Sequence, residues 1–297
     1  MSSNRLAVPA LALLASLVAA SDAPAAVPPG PSAPIIAALE KGDVDAAVTA
    51  ADAAVKACPK DVDVLRFAGR AYGAKAQTAS VFTKVKWAKR CREVWEKAVE
   101  VAPADVDARY DLMQYYLFAP GVIGGGVEKA RAQAAEIGRH DLVAGHLAAG
   151  RIAEHEEKPA EAEAAYRRAM DGDPNGTRGL LALAGFLGGQ ERWAEARALF
   201  EKRLAAAPDD AFAVYQLGKL ALLSGQGLEK GLALFDKYLA TPEAKGRPTH
   251  ADARWRKGLL LEKLGRKPAA IAEYREALRA DPAHPQAKRE LERLKPA

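Results

Sequence analysis

The chain has 297 residues, of which 49% are apolar but only 6% aromatic, which fits helices packed through Ala and Leu without need of a core of large rings. Lys plus Arg exceed Asp plus Glu by 43 to 38, a formal charge of +5. These charges are scattered along the chain, which argues against a dedicated nucleic-acid stripe.

Arg5 is the one charge ahead of an apolar run from Leu6 to Ala20, and Val18-Ala19-Ala20 supplies small residues for cleavage, with Ala23-Pro24-Ala25 as a second candidate. The run is shorter than the roughly 20 residues of a comfortable membrane span, and it contains Pro9. Residues 1–20 therefore read as a cleavable export signal cut near Ala20, and the protein is expected to be periplasmic or secreted. It meets a membrane only if the signal is retained as an anchor. Residues 21–34 are Ala/Pro-rich and predict an extended leader.

From residue 35 the chain reads as a series of helical hairpins. The first pairs a short helix, Ile35 to Glu40, with one from about Val44 to Ala57 that turns Ala47, Ala51 and Ala54 inward. The second begins near Val62 with Leu65, Ala68, Gly69 and Tyr72, but Cys91, Trp95, Ala98 and Pro103 follow about ten residues late. The extra length, Thr78 to Arg90, mixes Val81, Phe82 and Trp87 with Lys84, Lys86, Lys89 and Arg90. It predicts either an elongated helix pair packed on the first hairpin or a docking surface for an anionic or amphipathic partner.

The third hairpin runs from Asp105, with Ala108, Leu112 and Tyr115 as an apolar stripe, and its connection carries Gly124-Gly125-Gly126. That run serves either a turn needing positive φ or an anion held on backbone N–H groups; the Lys-Ser/Thr ending of a P-loop is missing. The clearest hairpin is the fourth, Val143 to Gly176, where Gly150 interrupts one helix, Pro159 opens the next, and Ala162, Tyr166 and Ala169 share a stripe. The pattern returns from Thr177 (Ala184, Phe200, Pro208), from Ala211 (Gly218, Phe235, Pro242) and from Ala251 (Gly258, Tyr274, Pro282). A charged, Pro-containing linker, Glu243 to Pro248, precedes the last. A final helix, Gln286 to Leu294, is apolar on one side only, as a solvating cap requires.

Pro174 and Pro208 stand one period of about 34 residues apart. With the small residues and rings recurring in register, the chain resembles the tetratricopeptide repeat family, and the string around Tyr115-Tyr116 and the glycine run is similar to exported bacterial members. The resemblance implies an all-α fold: an α-solenoid of about seven helix-turn-helix repeats over residues 35–284, closed by a capping helix and tail at 285–297. It also implies that the first helices line a groove, to which Arg66, Arg70, Arg109, Met113, Tyr116, Arg151, Arg178, Tyr215, Lys219 and Trp255 would contribute. Arg and aromatic residues are enriched at protein interfaces, so a peptide or partner protein is the expected ligand. The arginines leave a second reading open, a binding protein for a small anionic or glycan ligand. The Lys/Asn clamp of chaperone-binding relatives is not matched, since these helices carry no Asn.

No catalytic string occurs, and His146 and His155 stand nine residues apart, which is not the one-turn spacing of a helical metal pair. A non-enzymatic scaffold without cofactor is expected. Cys58 and Cys91 fall near opposite ends of neighbouring helices, about 16 Å apart along the axis at 1.5 Å per residue. Two buried free thiols are expected there in preference to a bridge.

Overall fold

The computed structural model describes residues 30–294. Expectations for the export signal and most of the leader lie outside the described residues. Seven helical hairpins follow one another: α1 (Ala33–Glu40) with α2 (Val44–Ala57), α3 (Val62–Thr78) with α4 (Val81–Val101), α5 (Val106–Phe118) with α6 (Val127–His140), and α7 (Leu142–His155) with α8 (Pro159–Asp171). Next come α9 (Arg178–Gly189) with α10 (Trp193–Ala206), α11 (Ala211–Ser224) with α12 (Leu228–Leu239), and α13 (His250–Lys263) with α14 (Lys267–Ala280). α15 (Pro285–Leu294) ends the described chain, and no strand occurs among the described residues. The fold is the all-α solenoid that the repeats predict.

Six of these helices, among them the first helices of most hairpins, start where a short acceptor takes up an orphan backbone N–H. Asp43, Asp61, Asp105, Asp141 and Asp210 each accept from the N–H three residues on, at 2.7 to 3.0 Å. Thr249 and Asp252 form a reciprocal capping box at the start of α13.

Within four of the seven hairpins, a ring from the second helix enters a notch left by a glycine on the first. A Cβ at Gly150 would come 2.5 Å from the Tyr166 ring, and one at Gly218 would come 3.1 Å from that of Phe235. Gly69 stands in the same relation to Trp95, and Gly258 to Tyr274. The polar end of each buried ring is then satisfied nearby: Trp95 Nε1 donates to the Arg66 carbonyl at 3.0 Å, and the Tyr166 hydroxyl donates to Glu154 at 2.5 Å. Tyr274 donates likewise to Glu262.

The chain divides into two compact units, with the boundary at Leu180–Leu181 inside α9. The first is cored by Ile35, Ala51, Tyr72, Trp95, Met113 and Ile137 among others. The second is cored by Tyr215, Phe235, Leu260 and Tyr274, and Leu294 of α15 is buried with them. Residues Thr78 to Arg90 form no separate element; they end α3 and begin α4, which at 21 residues is the longest helix described.

Cys58 and Cys91 are both free thiols; Cys91 is buried, whereas Cys58 is only partly so. Burial pushes the Cys91 thiol well above its usual pKa, which leaves it inert as a nucleophile.

If the glycine–ring interlock sets these hairpins, truncating one ring leaves a cavity. Tyr166→Ala is expected to destabilise the first unit by about 3–5 kcal/mol, read as a lowered urea midpoint; an unchanged midpoint contradicts the packing register.

Candidate partner-binding face

In the first unit, α3, α5 and α7 pack side by side, and one continuous set of side chains crosses them. Arg66 of α3 donates from Nε to Asp111 of α5 at 3.2 Å and pairs with Asp107 at 3.0 Å. Arg70, one turn on, donates to the same Asp111 at 3.1 Å and lies over the Phe67 ring, 5.0 Å from its centroid. Desolvation lowers the pKa of Arg66, but Asp111, Asp107 and Asp105 outweigh it and hold the guanidinium more firmly charged. At Asp111 burial dominates and raises the carboxyl's pKa despite two guanidiniums.

The set continues from α5 to α7. Tyr110 stands next on α5, and burial is the main cause that raises its hydroxyl's pKa. Arg151 of α7 lies 5.3 Å from the centroid of Phe118 and donates to Glu154 at 3.3 Å, while Phe118 meets His155 edge-on at 5.2 Å. Phe67, Tyr110 and Phe118 are all half-buried. Arg70 and Asp107 keep 41% and 69% of their side chains exposed. The result is a strip of rings and charge-paired guanidiniums with its apolar and polar parts both accessible.

Arg66, Arg70 and Arg151 are therefore on this face, as the sequence suggests, but the third hairpin is displaced by one residue. Arg109 points back to the Pro103 carbonyl (2.5 Å) and Gln133 of α6 (2.8 Å). Met113 has no exposed surface, and Tyr116 donates to Glu96 of α4 at 2.8 Å. One residue turns a helix by about 100°, so Tyr110 and Gln114 stand where Arg109 and Met113 were expected, with Asp111 and Phe118 beside them, while Leu117, one residue past Tyr116, is buried. Aligning Pro59-Lys60-Asp61-Val62 with Pro103-Ala104-Asp105-Val106 makes the two capping aspartates equivalent, and that repeat fixes the register.

Arg178 is held by Asp141, which accepts both of its terminal nitrogens at 2.6 and 3.3 Å. In the second unit Tyr215 is fully buried, with its ring centroid 5.7 Å from that of Phe235 and 5.0 Å from that of Tyr238; it presents no surface to a ligand. Lys219 and Trp255 are half-buried, and Arg256 lies 4.8 Å from the Trp255 ring centroid.

The glycine run has a structural use. The N–H groups of Gly124, Gly125 and Gly126 donate to the carbonyls of Gly121, Pro120 and Tyr116 at 2.9, 3.2 and 2.7 Å, which leaves none of them for an anion. Gly124 sits at φ +97°, the left-handed region that favours glycine. Among the described residues no three His, Cys, Asp or Glu side chains are grouped to hold a metal ion, and no described helix is long and apolar enough to cross a membrane.

Helical hairpins stacked one after another, several of them around glycine–ring notches, define a repeat scaffold. Family models described as Tetratricopeptide repeat match residues 35–76 and 215–285 in one case and 153–226 in another, and the chain belongs to the tetratricopeptide repeat family. Such repeats act in general as non-catalytic scaffolds for protein interaction. Cellulose synthase operon protein C of Pseudomonas fluorescens (strain SBW25) is 34% identical over 149 residues, 49% of this chain; the match spans only 11% of that protein's length. Yeast Tom70 superposes with a TM-score of 0.56 at 14% identity, over 84% of this chain and 52% of its own. A tetratricopeptide repeat protein from Parabacteroides merdae gives 0.49 at 14% identity, over 88% and 96%. These structural likenesses are of fold.

The Asp141–Arg178 pair also sets a pH dependence. The hydrogen bond from Arg178, aided by the Ala144 N–H and opposed by desolvation, holds the Asp141 carboxyl below its usual pKa. A depressed carboxyl contributes stability that is complete above its unfolded pKa, about 3.9, and is lost as pH falls through the folded value. Asp141→Asn keeps a capping acceptor but not the charge. Its urea midpoint is expected to lie below wild type at pH near 6, with the gap closing toward pH about 3. Parallel curves across that range contradict the assignment.

Proposed function

We propose that this protein is an adaptor of the cell envelope and that the α3–α5–α7 face holds an extended segment of a partner protein. The envelope setting rests on the export-signal pattern of residues 1–20. The observation that carries the binding mode is the unbroken run from Arg66 and Phe67 through Asp111 and Tyr110 to Phe118 and Arg151, in which rings and charged groups alternate.

Three adjacent helices at 8–10 Å spacing span about 20 Å, which an extended chain covers in roughly six residues. Rings give such a segment rigid apolar contact, and the paired arginines offer their remaining N–H groups to its carbonyls. A small anion is served less well. Arg66 and Arg70 already share Asp111, Arg151 holds Glu154, and Arg178 holds Asp141, so these arginines present little uncompensated charge.

A photoreactive amino acid placed at Phe67 or Phe118 in the native host tests this reading. Both positions are expected to capture the same protein, and Ala132, exposed on α6, is expected to capture none. Capture of no protein from either ring position, or equal capture from Ala132, overturns it.

A further inference from the structure

From Val64 to Arg92 the chain carries eight basic side chains and no acidic one. Ion pairs to carboxylates elsewhere take up those at the base of the α3–α4 hairpin: Arg66 and Arg70 with Asp111, Lys75 with Asp45, Arg90 with Asp52, and Arg92 with Glu96. Lys84, Lys86 and Lys89, on the first turns of α4, form no ion pair among the described residues; the Lys86 ammonium lies 5.7 Å from the Trp87 ring centroid, and its charge is one of those that, against desolvation, lower the pKa of the Asp52 carboxyl.

Beside these lysines lie the three most exposed large apolar side chains among the described residues, Phe82, Val122 and Val81, with Val85 next to them. Phe82 is 95% exposed, Val81 81% and Val85 45%. Val122, 92% exposed, sits in the turn at Gly121–Ile123, whose Ile123 packs with Ala88 of α4. Phe82, Lys86 and Lys89 share one stripe of the helix, and Val81, Val85 and Ala88 share the next. Below them Trp87 turns inward, its ring centroid 6.0 Å from that of Tyr72, and Arg90 lies over both rings. The tip is thus an apolar point ringed by ammonium groups that form no ion pair, on a base fixed by packing.

We propose that this tip docks on the surface of an anionic phospholipid bilayer, with Phe82, Val81 and Val85 entering the interface and Lys84, Lys86 and Lys89 meeting headgroup phosphates. The choice of cation favours lipid over an acidic groove in a protein. All four arginines of the stretch are spent on fixed internal carboxylates, whereas the charges that form no ion pair are lysines, point charges on flexible stems suited to a diffuse field of phosphates. The first turn of α4 has no acidic residue and no side-chain cap on Ser80, so the positive end of the helix adds to the same attraction.

Flotation of the protein purified from its host with vesicles containing about 30 mol % phosphatidylglycerol tests the proposal. Comparison with variants isolates the tip from any other lipid-binding segment. Wild type is expected to float with the vesicles and to be released near 0.5 M salt, where the screening length is about 4 Å. Phe82→Ser is expected to weaken binding about tenfold. Replacing Lys84, Lys86 and Lys89 together by Gln is expected to weaken it about a hundredfold, roughly fivefold for each charge. Phe82, Lys86 and Lys89 are exposed and Lys84 half-buried; the variants are expected to leave the urea midpoint unchanged, which separates lost docking from lost folding. Failure of wild type to float, or flotation that none of the four substitutions alters, overturns the proposal. So does a wild-type dimer that Phe82→Ser converts to a monomer without any capture by vesicles, since the tip would then be an interface between copies.

Discussion

The structure depends on one contact repeated along the chain: a glycine on the first helix of a hairpin that admits an aromatic ring from the second. Glycine is a poor helix former, about 1 kcal/mol worse than Ala, so its recurrence inside α3, α7, α11 and α13 needs a packing reason. The reason is close approach. At Gly69, Gly150, Gly218 and Gly258 the space a methyl group would need is already filled by Trp95, Tyr166, Phe235 and Tyr274. A buried ring at that depth must place its polar end, and the helix supplies it: Glu154 and Glu262 each follow the notch glycine by four residues, one turn along the same face, and accept the tyrosine hydroxyl. Burial and the carboxylate together push both phenols far above the ordinary tyrosine range, so they stay protonated donors.

That contact also explains the irregular second hairpin. Gly69 and Trp95 are ten residues farther apart in sequence than Gly150 and Tyr166, yet the notch is filled in the same way. With both ends of the interval fixed by the ring, the extra residues extend the far end of α3 and the start of α4, beyond the helices that would cover them. Phe82 and its neighbours are exposed for that reason. Electrostatics divides along the same line. On the packed α3–α5–α7 face Arg66, Arg70 and Arg151 each find a carboxylate and the face becomes a nearly neutral, preorganised strip; at the uncovered tip the lysines form no ion pair among the described residues. One sequence feature, an interval ten residues too long, thus separates two surfaces of different chemistry.

Much of this was legible in the sequence. The small residues and rings recur at a fixed period, and the starts of α2 and α3 coincide with residues that follow a capping aspartate. Gly150 against Tyr166 could be read directly, because both sides of the contact are marked by residue type. The face of α5 could not be read in the same way. It has no notch glycine, its sequence from Ala108 to Leu117 is buried almost without a break, and no periodic apolar stripe betrays its orientation. Arg109, Met113 and Tyr116 look suited to a groove by type, but a helix wrapped on all sides buries such residues too. Tyr215 misled for a related reason: an aromatic at a groove position fills space between hairpins when Phe235, Tyr238 and Arg256 close around it. Glu154 and Glu262 were not legible as acceptors for rings twelve residues away, since that needs the hairpin to be closed first.

The most direct test of the interlock is a double-mutant cycle on Gly150 and Tyr166. By helix propensity alone, Gly150→Ala stabilises α7 by about 1 kcal/mol. In the wild-type background the new methyl group would meet the Tyr166 ring, and the substitution is expected to destabilise by about 1–3 kcal/mol. In the Tyr166→Ala background, where the notch is empty, the same substitution is expected to be stabilising. A reversal of sign between the two backgrounds, measured by urea denaturation, is the result predicted here. Gly150→Ala acting with the same sign and size in both would mean that the ring and the glycine do not share a notch, and the basis of the repeat would have to be sought elsewhere.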